Sequence, residues 1–423
     1  MTETVSEIRV YETTEEAERK RTRLAGKEKP DHWVNNKGTE FTNPWPSFIP
    51  FMLKEAGSVR GSFFSSKADR LTLCLFGKWY NLFTKQLPPP KDILKSIEVV
   101  KPTWGVSSSN EAQSNSNKVK ATWLGHACYL VELPTIPSLS RGPRILFDPV
   151  FSDRCAPVQF MGPKRYTPPP CPIQEIPEVD AVVISHNHYD HMDSPTLKVL
   201  FSRARKPHIF APLGNEYYFD SLGCVPETHA HVLDWWDSRR VEITLPSSDS
   251  DTEAKQAKAV FDITLTPGQH QTGRGMFDRW KTLWGGWVVQ PVSGEEAHGP
   301  SVYFAGDTGY RTVLPGQDED KVPVCPAFKE IGDRWGGIDL ALLPIGAYQP
   351  REIMSRVHCA PQDSVRVFQD LRAKRAVAMH WGTWVLTTED ALEPPKRLAE
   401  ECKKAGIADG IFSLCKIGET VFY

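Results

Sequence analysis

The sequence predicts an α/β protein, with layered β-sheets covered by helices. Two observations predict it. Beyond residue 118, strand patterns come first and then alternate with helical patterns, and that succession occurs twice. Within it the apolar run 181–184 reads as a strand buried on both faces. That run leads into His186–Asn187–His188–Tyr189–Asp190–His191, where four of six residues are metal-ligand types. No repeat of solenoid type is present.

Composition narrows the class. The chain has 423 residues, 40% hydrophobic and 24% charged, as in globular proteins with room for a large core. A net charge of −2 gives no overall basicity for nucleic acid, and there is no acidic tail. No apolar run approaches the ~20 residues that span a bilayer. The glutamate-rich start contains no apolar stretch of a secretory signal, and its acids disfavour a transit peptide. The nine cysteines are scattered and include no C-x-x-C pair. Reduced thiols and an intracellular address are therefore expected, with cytoplasm and mitochondrion both open.

Residues 1–40 read as a charged, disordered arm in which 14–23 is either an exposed helix or more of the arm. Residues 41–118 form an N-terminal extension and linker. Its aromatics and prolines cluster at 43–51 and 71–83, and Pro44, Pro46 and Pro50 prevent a continuous helix. This segment is expected to wrap on the main body, or alternatively to lie on a membrane. The polar tract 107–117 reads as a linker.

The third portion, 119–423, carries the regular pattern. Strands are expected at 120–124, 128–132, 144–147 and 181–185, followed by a helix with Ser194 as N-cap and Pro195 in its first turn. A helix at 215–222 is closed by Gly223. Strands follow at 232–233, 241–245 and 259–266, the last two separated by a serine- and acid-rich insert at 246–258. Strands at 286–290, 302–305, 340–344 and 376–379, with helices at 360–371 and 395–406, complete the pattern.

Three further ligand types stand at strand ends. His270 follows strand 259–266, Asp307 follows 302–305 and His380 follows 376–379, with Gly306 and Gly382 allowing tight turns beside them. Sheets place sites at such edges, so residues distant in sequence converge there. Singly, each is better explained as a cap or a satisfied polar group. Joined to the histidine-rich turn, they point to a metal centre.

HNHYDH, the His270 turn, GDTGY (306–310), MHWGTW (379–384) and WLGHA (123–127) resemble the metallo-β-lactamase superfamily. NPWP (43–46), FMGPKRY (160–166), LDWW (233–236), PIGAY (344–348) and LEPP (392–395) extend the resemblance to the N-acylphosphatidylethanolamine-hydrolysing phospholipase D family, from about residue 41 onward. Three departures stand out. The insert 246–258 is expanded, residues 311–324 interrupt the passage from GDTGY to CPAFKEIG, and Phe160 stands where the family carries tyrosine.

The resemblance implies an αββα sandwich, a homodimer and two Zn2+ per chain. One ion would be held by His186, His188 and His270, the other by Asp190, His191 and His380, with Asp307 shared. The implied reaction converts N-acylphosphatidylethanolamine to N-acylethanolamine and phosphatidic acid through a metal-bridging hydroxide, on a membrane met peripherally. Asp190 would orient the hydroxide and His358 would contact the phosphate or supply a proton, with Gln159, Tyr189 and Arg274 contacting substrate. Alternatives stay open at two of these positions and at one further histidine. His358 equally fits a helix-end histidine, Arg274 an exposed arginine, and His126 either a partner of the ligands or a packed histidine. Residues His208, His229, His231 and His298 read as surface or structural. Competing functions are a hydrolase of a soluble substrate (phosphodiesterase or lactonase), a nuclease, which the charge disfavours, and a non-catalytic membrane adaptor, which the complete ligand set disfavours.

Overall fold

The computed structural model describes residues 7–24, 29–50, 89, 95–105, 115–136, 139–246, 256–275, 277–294 and 296–423. Elements are numbered along the chain. β1 (Ile8–Glu12) and α1 (Thr14–Leu24) come first. β2 (Lys120–Trp123), β3 (Tyr129–Glu132), β4 (Arg144–Phe147), β5 (Ala181–Val183), β6 (His208–Pro212) and β7 (Ala230–Leu233) then form one sheet. It is antiparallel up to β4 and parallel from β4 to β7. The crossovers α2 (Ser194–Phe201) and α3 (Glu216–Leu222) cover its outer face.

The second sheet is built from β8 (Ser238–Pro246), β9 (Gln256–Thr266), β10 (Gly286–Ser293), β11 (Glu296–Ala297), β12 (Val302–Phe304), β13 (Leu340–Pro344), β14 (Arg375–Met379) and β15 (Phe412–Ser413). β12 to β15 run parallel, and α4 (Ala327–Trp335), α5 (Arg351–Met354), α6 (Pro361–Asp370) and α7 (Glu393–Lys404) lie in the connections. β16 (Thr420–Phe422) returns to pair with β2 in the first sheet. The expected αββα sandwich is borne out.

Strand periodicity explains the layers. Ile145 and Phe147 of β4 point into the core between the sheets, whereas Leu146 points to the helical side. Ala181 and Val183 of β5 alternate with Val182 in the same way. Phe147 meets Phe304 of the opposite sheet with ring centroids 4.7 Å apart. With both faces covered, the central strands carry unbroken apolar runs.

Several segments differ from the sequence reading. Residues 8–24 are no free arm: β1 pairs with β8, and Ile8 and Val10 pack on the core. The carboxylate of Glu16 is buried against Arg239, a partner that local sequence does not reveal. Helix α4, absent from the expectation, buries Ala327, Phe328 and Ile331 and ends at Gly336 (φ 67°). Asp193, not Ser194, precedes α2, and its carboxylate accepts from Thr196 and Ser152. The interruption at 311–324 closes at its base, where Cys325 N donates to Tyr310 O at 2.7 Å.

The aromatic start of the extension does wrap on the body. Phe41 is buried, and Trp45 stacks on Trp235 at 5.4 Å. Residues 71–83, most of the tract 107–117 and the centre of the insert 246–258 lie outside the described residues. The described cysteines are free thiols. No helix among the described residues is long and apolar enough to cross a membrane.

Candidate metal centre

Every expected ligand stands just past the carboxyl end of a strand. β5 delivers Ser185 and the HNHYDH turn, β9 leads to His270, β12 to Asp307 and β14 to His380. Two of these ends turn sharply. His380 has φ 63° and Gly306 φ 59°, and a Cβ on Gly306 would sit 2.4 Å from that of Ser185. Glycine therefore lets the β12 end approach the β5 end.

The ligand types gather in two adjoining groups. His186, His188, His270 and Asp307 offer atoms within 4.8 Å of one another, and so do His126, Asp190, His191 and His380. Asp307 reaches into both groups. Its Oδ2 is 3.8 Å from His186 Nε2, 3.8 Å from His270 Nε2 and 3.1 Å from His191 Nε2, and its Oδ1 is 2.8 Å from His380 Nε2.

The ring orientations are fixed from behind. His270 Nδ1 donates to the Val357 carbonyl at 2.8 Å, which leaves the Nε2 lone pair facing the centre. His191 Nδ1 donates to Asp148 Oδ2 at 2.6 Å. Ser185 Oγ donates to the same carboxylate at 2.5 Å and so can accept from His186 Nδ1 at 2.9 Å. Imidazoles held in this way are a recurrent support for metal ligands.

This donor set fits divalent cations. Among the described residues buried Asp307 Oδ1 accepts no hydrogen bond, although His380 Nε2 lies 2.8 Å away. His186 Nε2 and His188 Nδ1 are 2.8 Å apart, and His191 Nε2 and His380 Nε2 3.3 Å. Converging lone pairs and an orphaned carboxylate oxygen call for positive charge between them. Protonation states agree. Burial lowers the pKa of His186, that of His270 to about 4, and those of His126 and His358 to about 3. Burial opposes ionisation of Asp190 and Asp307, but His191 and neighbouring imidazoles outweigh it and hold both well below the usual range. Burial also opposes charge on His191, yet Asp307, Asp190 and Asp148 raise its pKa, so a cation there competes with a proton.

The other expected site residues are distributed unevenly. His358 lies at the edge of the centre, with Nε2 4.0 Å from Asp307 Oδ2 and a buried Nδ1 that has no hydrogen-bond partner among the described residues. His126 is bonded to the ligands, its Nε2 3.0 Å from Asp190 Oδ2 and its carbonyl accepting from His380 N. Tyr189 lies under the guanidinium of Arg274, which is partly buried and donates to main-chain carbonyls of the turn. The geometry thus shows neither a freely exposed arginine nor a guanidinium aimed away from the protein. Gln159 is exposed and bonded to the Arg154 backbone, outside both groups. His208 and His231 pair on β6 and β7 at 2.8 Å, a structural contact.

Sequence reasoning missed Asp148 and Ser185. The signal was available for Asp148, because it ends β4 beside β5, as the ligands end their own strands. It also missed Asn43, whose Nδ2 donates to the His270 carbonyl at 2.8 Å from 227 positions away.

Fold and centre together define a metal-dependent hydrolase. Residues 143–381 match the family described as beta-lactamase superfamily domain, and the chain belongs to the metallo-β-lactamase superfamily. It is 36% identical over 283 residues to N-acyl-phosphatidylethanolamine-hydrolyzing phospholipase D 1 of Caenorhabditis elegans, covering 66% of this chain and 68% of that protein. It is 33% identical over 301 residues to the mitochondrial N-acyl-phosphatidylethanolamine-hydrolyzing phospholipase D of Saccharomyces cerevisiae, covering 71% of this chain but 55% of that protein. Among solved structures, isothiocyanate hydrolase from Delia radicum gut bacteria aligns with a TM-score of 0.47 at 18% identity, over 72% of this chain and 99% of that one.

Proposed function

We propose that this chain is a dizinc phospholipase D that hydrolyses N-acylphosphatidylethanolamine to N-acylethanolamine and phosphatidic acid. The observation that carries the reading is Asp307, a buried carboxylate placed between two groups of imidazole and carboxylate donors. The relatives from worm and yeast supply the lipid. His186, His188 and His270 would hold one ion, and Asp190, His191 and His380 the other, with Asp307 on both. When bound, two divalent cations act as Lewis acids toward a phosphoryl oxygen and make water nucleophilic near neutral pH.

The chain's own residues do the rest. His126 fixes the Asp190 carboxylate, which can then orient a water by accepting its proton in a hydrogen bond. His358 stands at the edge of the centre, its Nε2 4.0 Å from Asp307 Oδ2, where it can meet a phosphoryl oxygen. A cleft of about 180 Å³ opens beside His126 and His380, walled by Tyr166, Trp381, Trp384 and Leu386 and by the acidic Glu389 and Asp390, so substrate groups next to the centre would meet a mixed surface. The reading brings with it peripheral contact with a lipid surface and a homodimer, the latter checked by light scattering of purified protein.

Purified protein incubated with a panel of phospholipids, with and without chelator, tests the function by lipid mass spectrometry. Chelator-sensitive release of N-acylethanolamine from N-acylphosphatidylethanolamine is expected. Cleavage of phosphatidylcholine alone, or turnover confined to cyclic nucleotides and lactones, would defeat the lipid assignment.

A further inference from the structure

The loop after His270 turns one side chain back onto the ligand-bearing turn. Arg274 Nη1 donates to the carbonyl of Asn187 at 3.0 Å and to that of Met192 at 2.7 Å. Its guanidinium lies 3.9 Å from the centroid of Tyr189 and 5.7 Å from that of Tyr218. The two carbonyls bracket His188, Tyr189, Asp190 and His191. The loop is itself braced, because Asp278 accepts from Arg274 N at 2.8 Å, Gly275 N at 2.7 Å and Tyr218 Oη at 2.6 Å. Gly273 N donates to Asn187 Oδ1 at 2.9 Å, adding a second tie to the turn.

We propose that Arg274 is a positioning residue, a clasp that fixes the span of the HNHYDH turn and thereby the relation between the two ligand groups. The inference rests on the reading that these groups hold cations. The turn supplies His188 to one group and Asp190 to the other, so a change in its span separates the two. Ser185 and Asp148 brace His186 and His191 at the turn's start and finish. Arg274 acts on the stretch between them. Both carbonyl contacts leave one nitrogen, so what an ammonium would lack here is the flat guanidinium face that covers Tyr189 and holds the donor in place.

The test compares wild type with Arg274→Lys and Arg274→Met by Zn2+ affinity in chelator competition. It adds the visible spectrum of Co2+-loaded protein and the thermal unfolding of metal-stripped protein. Both variants are expected to bind Zn2+ about 10–100-fold more weakly, the usual effect of removing a support of metal ligands. Their Co2+ spectra should change while the metal-stripped midpoint does not. Wild-type Zn2+ affinity and Co2+ spectrum in the variants would overturn the clasp. If KM for the lipid rose there with kcat unchanged, Arg274 would be an anion contact instead. Should Arg274→Met fail to fold, Arg274→Lys decides by the same readings. A wild type that takes up no Zn2+ removes the metal reading first, an outcome distinct from equal binding by all three proteins.

Discussion

Asp148 shows how much of the centre depends on a residue that is not itself an expected ligand. Its carboxylate accepts from Ser185 N at 2.7 Å, from Ser185 Oγ and from His191 Nδ1, and Ser185 relays the constraint to His186. One side chain therefore orients an imidazole in each group. Asp148→Asn keeps the shape but places an amide where acceptors are needed. We expect about 10–100-fold weaker Zn2+ binding in equilibrium dialysis, with the fold retained. Unchanged affinity would mean that the imidazoles are oriented by packing alone. At this scale the sequence was informative about ligand types and poor about their supports. A hexapeptide with four ligand-type residues announces itself, whereas a lone aspartate at the end of β4 shows only its strand-end position.

Among the elements, β5 is only three residues long, yet it bears the ligand turn, and its start is held electrostatically. Asp180, fully buried just before it, accepts from Arg141 at 2.7 and 2.8 Å, Arg205 at 2.7 Å and Arg144 N at 2.7 Å. Burial works against its ionisation, but the two guanidinium groups outweigh it and lower the pKa. The stabilisation is therefore present above the unfolded carboxylate value of ~3.9 and is lost as pH falls through the folded one. Asp180→Asn is expected to lower stability by about 3 kcal/mol at pH 7, measured by urea unfolding. The deficit should shrink below about pH 4. A deficit equal at pH 7 and pH 3 would show that shape, not charge, is what the arginines require. Most elements were legible because their periodicity is strong. α4 was overlooked although Ala327, Phe328 and Ile331 form one buried face, because its residues enter the sequence reading only as the end of the interrupted passage to CPAFKEIG. β1 was hidden by the charge around it.

Across the whole molecule, the N-terminal arm and the start of the extension are part of the site's support. His32 and Trp33 bond to Asp234, Phe41 enters the core, and Ser47 Oγ donates to Gln269 Oε1 at 2.6 Å beside His270. Deleting residues 1–50 removes these contacts and the Asn43 bond to the His270 carbonyl. Loss of the buried Phe41 and the stacked Trp45 should cost about 3 kcal/mol or more in urea unfolding, and Zn2+ should become easier to strip with chelator. A shortened protein with the wild-type midpoint and chelator sensitivity would leave residues 119–423 independent of the extension.

By itself the sequence determined the layered α/β class and marked the strand ends where metal-ligand residue types stand. These follow from side-chain periodicity and residue type, which are local properties. Only the tertiary structure decided that Asp148 serves both groups, that Asn43 and Ser47 hold the His270 loop and that Arg274 spans the ligand turn. Each of these depends on hydrogen bonds between segments up to 227 positions apart. No local pattern encodes such a pairing, because strand pairing, packing of the two sheets and the wrapping of residues 41–50 bring the partners within reach.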